Sequence, residues 1–166
     1  ENSNILLIGK TFGHIEQSCF LKENFSISEG LPPEINLNNE KNNGETVLQL
    51  IRKNLVMSVH DISSGGLLVA LSEMSLGSNL GANIYKPKKL TNKFEYFFGE
   101  DQGRYIIEIN QKDLKEVVKI LDKNSVYHEE LGVIVEKEMI INEKTKVTID
   151  ELRSYNTKWL KEYMSS

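Results

Sequence analysis

Ser58-Val59-His60-Asp61-Ile62-Ser63-Ser64-Gly65-Gly66-Leu67-Leu68-Val69-Ala70-Leu71-Ser72-Glu73-Met74-Ser75-Leu76-Gly77-Ser78-Asn79-Leu80-Gly81 decides how this chain is read. Its left half is short, polar and glycine-bearing. Its right half is apolar at helical spacing, through Leu67, Leu68, Leu71, Met74 and Leu76. A loop with backbone freedom at Gly65 and Gly66 therefore feeds an amphipathic helix. Asp61, Ser63 and Ser64 are suitable N-cap residues, and the helix is expected to stop near Gly77 or Gly81. A helix start built from small residues presents N–H groups and a positive dipole end, which suits phosphate or carboxylate. The same residues also make an ordinary capped helix.

Working outward, Val56 to Ile62 alternates enough to be the strand that enters this loop. Asn4 to Gly9 reads as a buried strand, from four consecutive apolar residues followed by glycine. Ser18 to Glu23 is a short helix or strand. Gly30-Leu31-Pro32-Pro33 is a break, because proline does not continue a helix interior. Asn36 caps a helix running from Leu37 to Asn54, whose first half, Asn38 to Glu45, is polar enough to be solvated. Ala82 to Tyr85 is a short strand ended by Lys86-Pro87. Arg104 to Ile109 is a strand with Tyr105, Ile107 and Ile109 on one face and Ile106 and Glu108 on the other. Asp113 caps a helix to about Asn124. Tyr127 to Val135 is a strand, Met139–Ile141 and Lys146–Ile149 form a hairpin, and Ile149 to Met164 is a final helix. Its apolar set is Leu152, Tyr155, Trp159, Leu160 and Tyr163. These elements predict an α+β fold, a mixed β-sheet packed with helices.

The chain has 166 residues, a length that fits one domain spanning 1–166. Hydrophobic residues make 39% and charged residues 27%, the balance of a folded globular protein. Net charge is −4, which does not suggest a nucleic-acid footprint. The densest basic cluster, Lys86, Lys88 and Lys89, reads as a solvated turn. The single cysteine, Cys19, excludes an internal disulfide and a Cys-only metal site. Its neighbours Phe20 and Leu21 suggest a buried small hydrophobe in a reducing, cytoplasmic protein. No stretch approaches the roughly 20 apolar residues that span a bilayer, so no membrane is expected. Glu1 stands where Met would open a gene, and a strand begins almost at once. The expectation is a piece of a longer chain.

His14, His60 and His128 lack metal-ligand spacing, so no metal site is expected. His60-Asp61 is either an acid–base or Mg²⁺-linked pair, or a satisfied sheet histidine beside a cap; strand neighbours face opposite ways, which disfavours joint action on one atom. Gly99-Glu100-Asp101-Gln102-Gly103 sets two carboxylates and an amide between glycines before a strand. It is either a loop for a polar ligand or Mg²⁺, or a polar tight turn. Nucleophile-elbow, Walker-A and dinucleotide fingerprints are absent.

Taken together, the two loops resemble a known family. Ser58 to Leu67 is similar to the Ala/Ser-His-Asp-x-Ser-Asp-Gly-Gly-Leu signature of the aminoimidazole ribonucleotide (AIR) synthetase C-terminal-type domain. Gly30-Leu31-Pro32-Pro33, Phe98-Gly99-Glu100-Asp101-Gln102-Gly103-Arg104 and Leu152-Arg153…Trp159-Leu160…Tyr163-Met164 narrow the likeness to the last domain of phosphoribosylformylglycinamidine synthases. The resemblance implies an ATP-dependent ligase of purine biosynthesis, using ATP and Mg²⁺ to convert formylglycinamide ribonucleotide to formylglycinamidine ribonucleotide. It implies partners: N-terminal-type domains of the same chain, a glutaminase and a small carrier subunit. The family's catalytic histidine and most ATP and Mg²⁺ ligands lie in those other domains, so no catalytic residue is expected here. Ligand-binding candidates are His60, Asp61, Ser64, Gly65, Gly66, Gly99, Glu100, Asp101 and Gln102. A loop related to Gly99–Gln102 contacts the ribonucleotide in the family's first C-terminal-type domain; here its duplicate lines a non-catalytic site or only holds the fold. Ser64 replaces the family's usual Asp, which weakens a metal or base role for that loop. A self-sufficient phosphate-binding module built on Gly65-Gly66 is the alternative.

Overall fold

The computed structural model describes residues 3–85 and 92–165. The Lys86, Lys88 and Lys89 cluster and the Lys86-Pro87 stop lie outside them.

The apolar run near the amino end is strand β1 (Ser3–Ile8), and all six of its residues are buried. It is central to a seven-stranded sheet of order β2-β4-β1-β5-β3-β6-β7. The other strands are β2 (Ser58–Asp61), β3 (Gly81–Ile84), β4 (Tyr105–Asn110), β5 (His128–Val135), β6 (Glu138–Ile141) and β7 (Thr145–Thr148). Pairing is antiparallel except between β3 and β6, which run parallel. The sheet is therefore mixed, and the α+β expectation holds.

Alternation along β1 and β4 feeds two cores, one on each face. Ile5, Leu7 and Ile106 join Leu67, Leu71, Phe97 and Ile149 on one side. Leu6, Ile8, Ile107 and Ile109 join Val47, Leu50, Val117 and Leu121 on the other. The first face carries α3 (Gly66–Ser78), α4 (Lys93–Phe98) and the start of α6 (Ile149–Ser165); the second carries α2 (Leu37–Arg52) and α5 (Leu114–Lys123). Each such Leu or Ile buried contributes roughly 1.5–3 kcal/mol. Short helix α1 (Cys19–Phe25) contributes no buried residue.

Several local expectations are met. Asn36 Oδ1 accepts the Asn39 N–H and caps α2. The β6–β7 hairpin forms in register Glu138↔Thr148 to Ile141↔Thr145. Others are corrected. Asn43, in the part of α2 expected to be solvated, is buried and donates to the Gly103 carbonyl at 2.9 Å. Asp113 precedes α5, but its carboxylate makes no capping bond. Residues 93–98, aromatic but without a readable period, form helix α4. Cys19 is exposed rather than buried, because α1 meets the rest of the fold through Phe20, stacked on Phe94 and Phe98, and sends no residue into either core. On α6 only Ile149 is buried; Tyr155, Trp159, Leu160, Tyr163 and Met164 are all exposed, Trp159 at 67%.

Candidate functional site

Strand β2 ends at Asp61, and the chain is turned towards α3 by two backbone bonds. Ile62 N–H donates to the Arg104 carbonyl at 2.9 Å, and Gly66 N–H to the Ser63 carbonyl at 3.1 Å. The helix N-cap is Gly65, in the left-handed region at φ 84°, with no side-chain cap. This corrects the expected cap at Asp61, Ser63 or Ser64. Ser63 and Ser64 are exposed, and neither hydroxyl makes a hydrogen bond among the described residues. The helix ends between Gly77 and Gly81 as expected, with Asn79 rather than a glycine taking the left-handed position. Gly66 has φ +74°, and a Cβ there would lie 2.7 Å from the Phe98 carbonyl carbon. Glycine is required because the loop before β4 crosses directly against the helix start.

What replaces a local cap comes from 35 residues away. Glu100 Oε1 accepts the Gly65 N–H at 2.8 Å and also the Cys19 N–H, the first of α1, at 2.8 Å. One carboxylate therefore serves the starts of two helices, where orphan donors and the dipole both favour negative charge. Glu100 N–H donates to the His14 carbonyl, and Gln102 Nε2 to the Glu100 carbonyl at 3.3 Å.

Asp101 is fully engaged as well. Oδ2 accepts the N–H groups of Phe12 (3.1 Å) and Gly13 (2.9 Å), and Oδ1 accepts that of His14 (3.1 Å). Three successive amides around one carboxylate form an anion nest filled by the chain's own side chain. Beneath it lies Arg104, only 1% exposed. Its Nε donates to the Asp101 carbonyl (3.1 Å), Nη2 to the Gly99 carbonyl (2.6 Å) and Nη1 to Thr11 Oγ1 (3.2 Å). Nη2 also lies 3.8 Å from Asp101 Oδ2. Burial draws the Arg104 guanidinium below its ordinary pKa, and the Asp101 charge opposes that shift.

Gly65, Gly66, Gly99, Glu100, Asp101 and Gln102 thus meet in one junction with residues 11–19. His60 and Asp61 do not join it through their side chains. His60 sits on edge strand β2, with Nδ1 2.6 Å from the Asp61 carbonyl and Nε2 3.5 Å from Glu73 Oε2. Asp61 is exposed. Sequence reasoning assigned no role to Arg104 or to the amides of Phe12, Gly13 and His14. A signal for Arg104 was present: a cation at the head of an apolar strand, three residues after Asp101, needs acceptors close by. The Phe12–His14 amides gave none, since backbone donors carry no side-chain identity. Among the described residues no group of three or more His, Cys, Asp or Glu is placed to hold a metal ion. Likewise, no helix there is long and apolar enough to cross a membrane.

The family described as AIR synthase related protein, C-terminal domain, matches residues 2–143, which contain the whole junction. The chain belongs to this family. The phosphoribosylformylglycinamidine synthase subunit PurL of Pelagibacter ubique is 53% identical over 167 residues, covering 100% of this chain and 23% of its own length. That of Rhodopseudomonas palustris strain HaA2 is 36% identical over 165 residues, covering 99% of this chain and 22% of its own. This chain therefore spans less than a quarter of those relatives. Among solved structures, Thermotoga maritima PurL complexed with FGAR superposes with a TM-score of 0.71 at 20% identity, over 90% of this chain and 27% of that one. Thiamine-monophosphate kinase from Stenotrophomonas maltophilia gives 0.57 at 14% identity, over 84% and 50%. At those identities the likeness is one of fold, and this AIR synthase-related domain shares it with more than one kind of protein.

Proposed function

We propose that residues 1–166 form the C-terminal domain of a cytoplasmic PurL-type phosphoribosylformylglycinamidine synthase. The whole enzyme is an ATP- and Mg²⁺-dependent ligase. ATP activates the amide oxygen of formylglycinamide ribonucleotide, and ammonia then displaces phosphate to leave the amidine. The observation that carries this reading is the 53% identity to a PurL across the entire chain, α6 included. Glutaminase and small carrier subunits are the partners that supply ammonia to the whole enzyme.

In this reading the domain supplies a wall and no catalytic residue. Support comes from the junction itself: the N–H groups of Gly65 and Gly66 are already donated to Glu100 and Ser63, so they are not free for a phosphate. Glu100 and Asp101 act through the amides they hold, setting the surface that Ser64 and Gln102 present to ligand, while Asp61 and His60 stand outside this junction on β2. The bare apolar face of α6 supports a domain that packs against further parts of the enzyme.

The test compares the full-length protein carrying this chain with residues 1–166 alone, each supplied with formylglycinamide ribonucleotide, ATP, Mg²⁺ and ammonia. Amidine and ADP should form only with the full-length protein. Turnover by the 166-residue chain, or none by the full-length one, overturns the reading. Calorimetric titration of the short chain with ATP addresses the alternative, since micromolar binding there identifies a self-sufficient nucleotide module.

A further inference from the structure

We propose that the cavity between α3 and the sheet binds a small planar heterocycle or aryl amidine bearing N–H donors. The cavity holds about 380 Å³. That lies at the fragment end of the roughly 300–1,000 Å³ typical of ligand pockets. Ile5, Ala82 and Ile134 line its sheet side, and Leu71 and Met74 of α3 line the other. This gives flat apolar walls for a ring.

The polar atoms are few, and acceptors dominate. Ser58 Oγ donates to Glu108 Oε2 at 2.8 Å, which leaves the carboxylate with lone pairs and charge. Ser78 Oγ has its proton committed to the Met74 carbonyl at 2.9 Å and accepts the Leu80 N–H at 3.3 Å, which leaves it one further lone pair as an acceptor. Ser75 is 5% exposed, lines the cavity, and its hydroxyl has no hydrogen-bond partner among the described residues. That hydroxyl is open to the cavity, and a ligand N–H that bonds it gains one net hydrogen bond. Among the described residues no Lys or Arg lines the cavity; His60 does, with Nδ1 2.6 Å from the Asp61 carbonyl and Nε2 3.5 Å from Glu73 Oε2. The donor–acceptor balance therefore favours N–H-bearing neutral or cationic rings and disfavours phosphates and carboxylates.

The site is distinct from the Glu100 junction. The junction meets the first turn of α3, whereas Met74, Ser75, Gly77 and Ser78 belong to its second half, about 12–18 Å along the axis at 1.5 Å per residue. Its failure would leave the proposed synthase reading untouched.

The experiment uses the intact protein, with 2-aminobenzimidazole and benzamidine as probes and benzoate as the anionic control. Calorimetry should show sub-millimolar binding of the two donors and none of benzoate. Hydrogen exchange by mass spectrometry should slow in residues 71–84. Ser75→Ala keeps the cavity and should weaken 2-aminobenzimidazole about 3–10-fold, the size of one hydrogen bond. Glu108→Gln should weaken benzamidine at least about tenfold through the lost charge. Unchanged melting temperatures establish that both variants fold; if Glu108→Gln melts early, Ser58→Ala, which leaves the charge in place, is read instead with 2-aminobenzimidazole. No binding, equal binding of benzoate, or affinity indifferent to Ser75 and Glu108 overturns the proposal.

Discussion

The junction around Glu100 and Asp101 and the helix α6 are opposites. In the junction, carboxylate oxygens and guanidinium nitrogens find their partners within this chain. On α6, residue after residue of apolar surface faces outward, and the Trp159 and Tyr163 rings stack on one another with centroids 5.5 Å apart. Polar groups buried without partners are heavily penalised, so a fold must complete such a cluster internally. Apolar surface carries no such demand, and its covering can be left to another part of a protein. The contrast separates what this sequence stabilises alone from what it offers to something else.

The sharpest way to break that contrast is Asp101→Ala. It leaves three amides without an acceptor and removes the carboxylate that lies 3.8 Å from Arg104 Nη2. Removing one partner of a buried charged cluster costs about 3–5 kcal/mol, so guanidinium unfolding of the 166-residue chain should shift strongly. Next is Gly66→Ala, where the left-handed φ alone costs about 1–3 kcal/mol and the Phe98 backbone leaves no room for the added carbon. A smaller effect tests a second internally satisfied group. Tyr96 is mostly buried and donates from Oη to Glu129 Oε1 at 2.9 Å. Burial first, and the Glu129 charge second, push its pKa well above the usual tyrosine value of 10.0. Below pH 10 both states keep the proton. Above it the unfolded chain ionises while folded Tyr96 does not, so its share of stability falls by up to about 1.4 kcal/mol per pH unit. Melts between pH 9 and 11 should show a shallower decline in Tyr96→Phe. The smallest effect belongs to α6: Trp159→Ala should change unfolding of the 166-residue chain by no more than about 0.5 kcal/mol. The same substitution in the full-length protein should lower its melting temperature or activity. An equal, small effect in both settings would remove the meaning given to the bare face.

Much of the scaffold was legible because it rests on local pattern. The run Ile5–Ile8, the alternation through Ile106–Ile109 and the cap at Asn36 each act within a few residues. The junction was legible only in part. Glu100, Asp101 and the two glycines stood out as types, yet their partners lie 35 to 89 residues away and are mostly main-chain amides. Local capping rules favoured Ser63 and Ser64, but a long-range carboxylate took the position. Helix α4 was missed because six residues hold fewer than two turns, too few to show a period. The apolar set of α6 was read correctly as a set; periodicity says that a face exists, not what covers it.

Cys19 gives the junction a practical handle. It is the chain's single thiol, it is exposed, and its own amide is one of the two that Glu100 holds. A maleimide dye would attach at that position alone, without engineering a cysteine-free background. Its emission would track whether the first turn of α1 stays docked, giving an optical readout of the fold at the spot where two helix starts share one carboxylate.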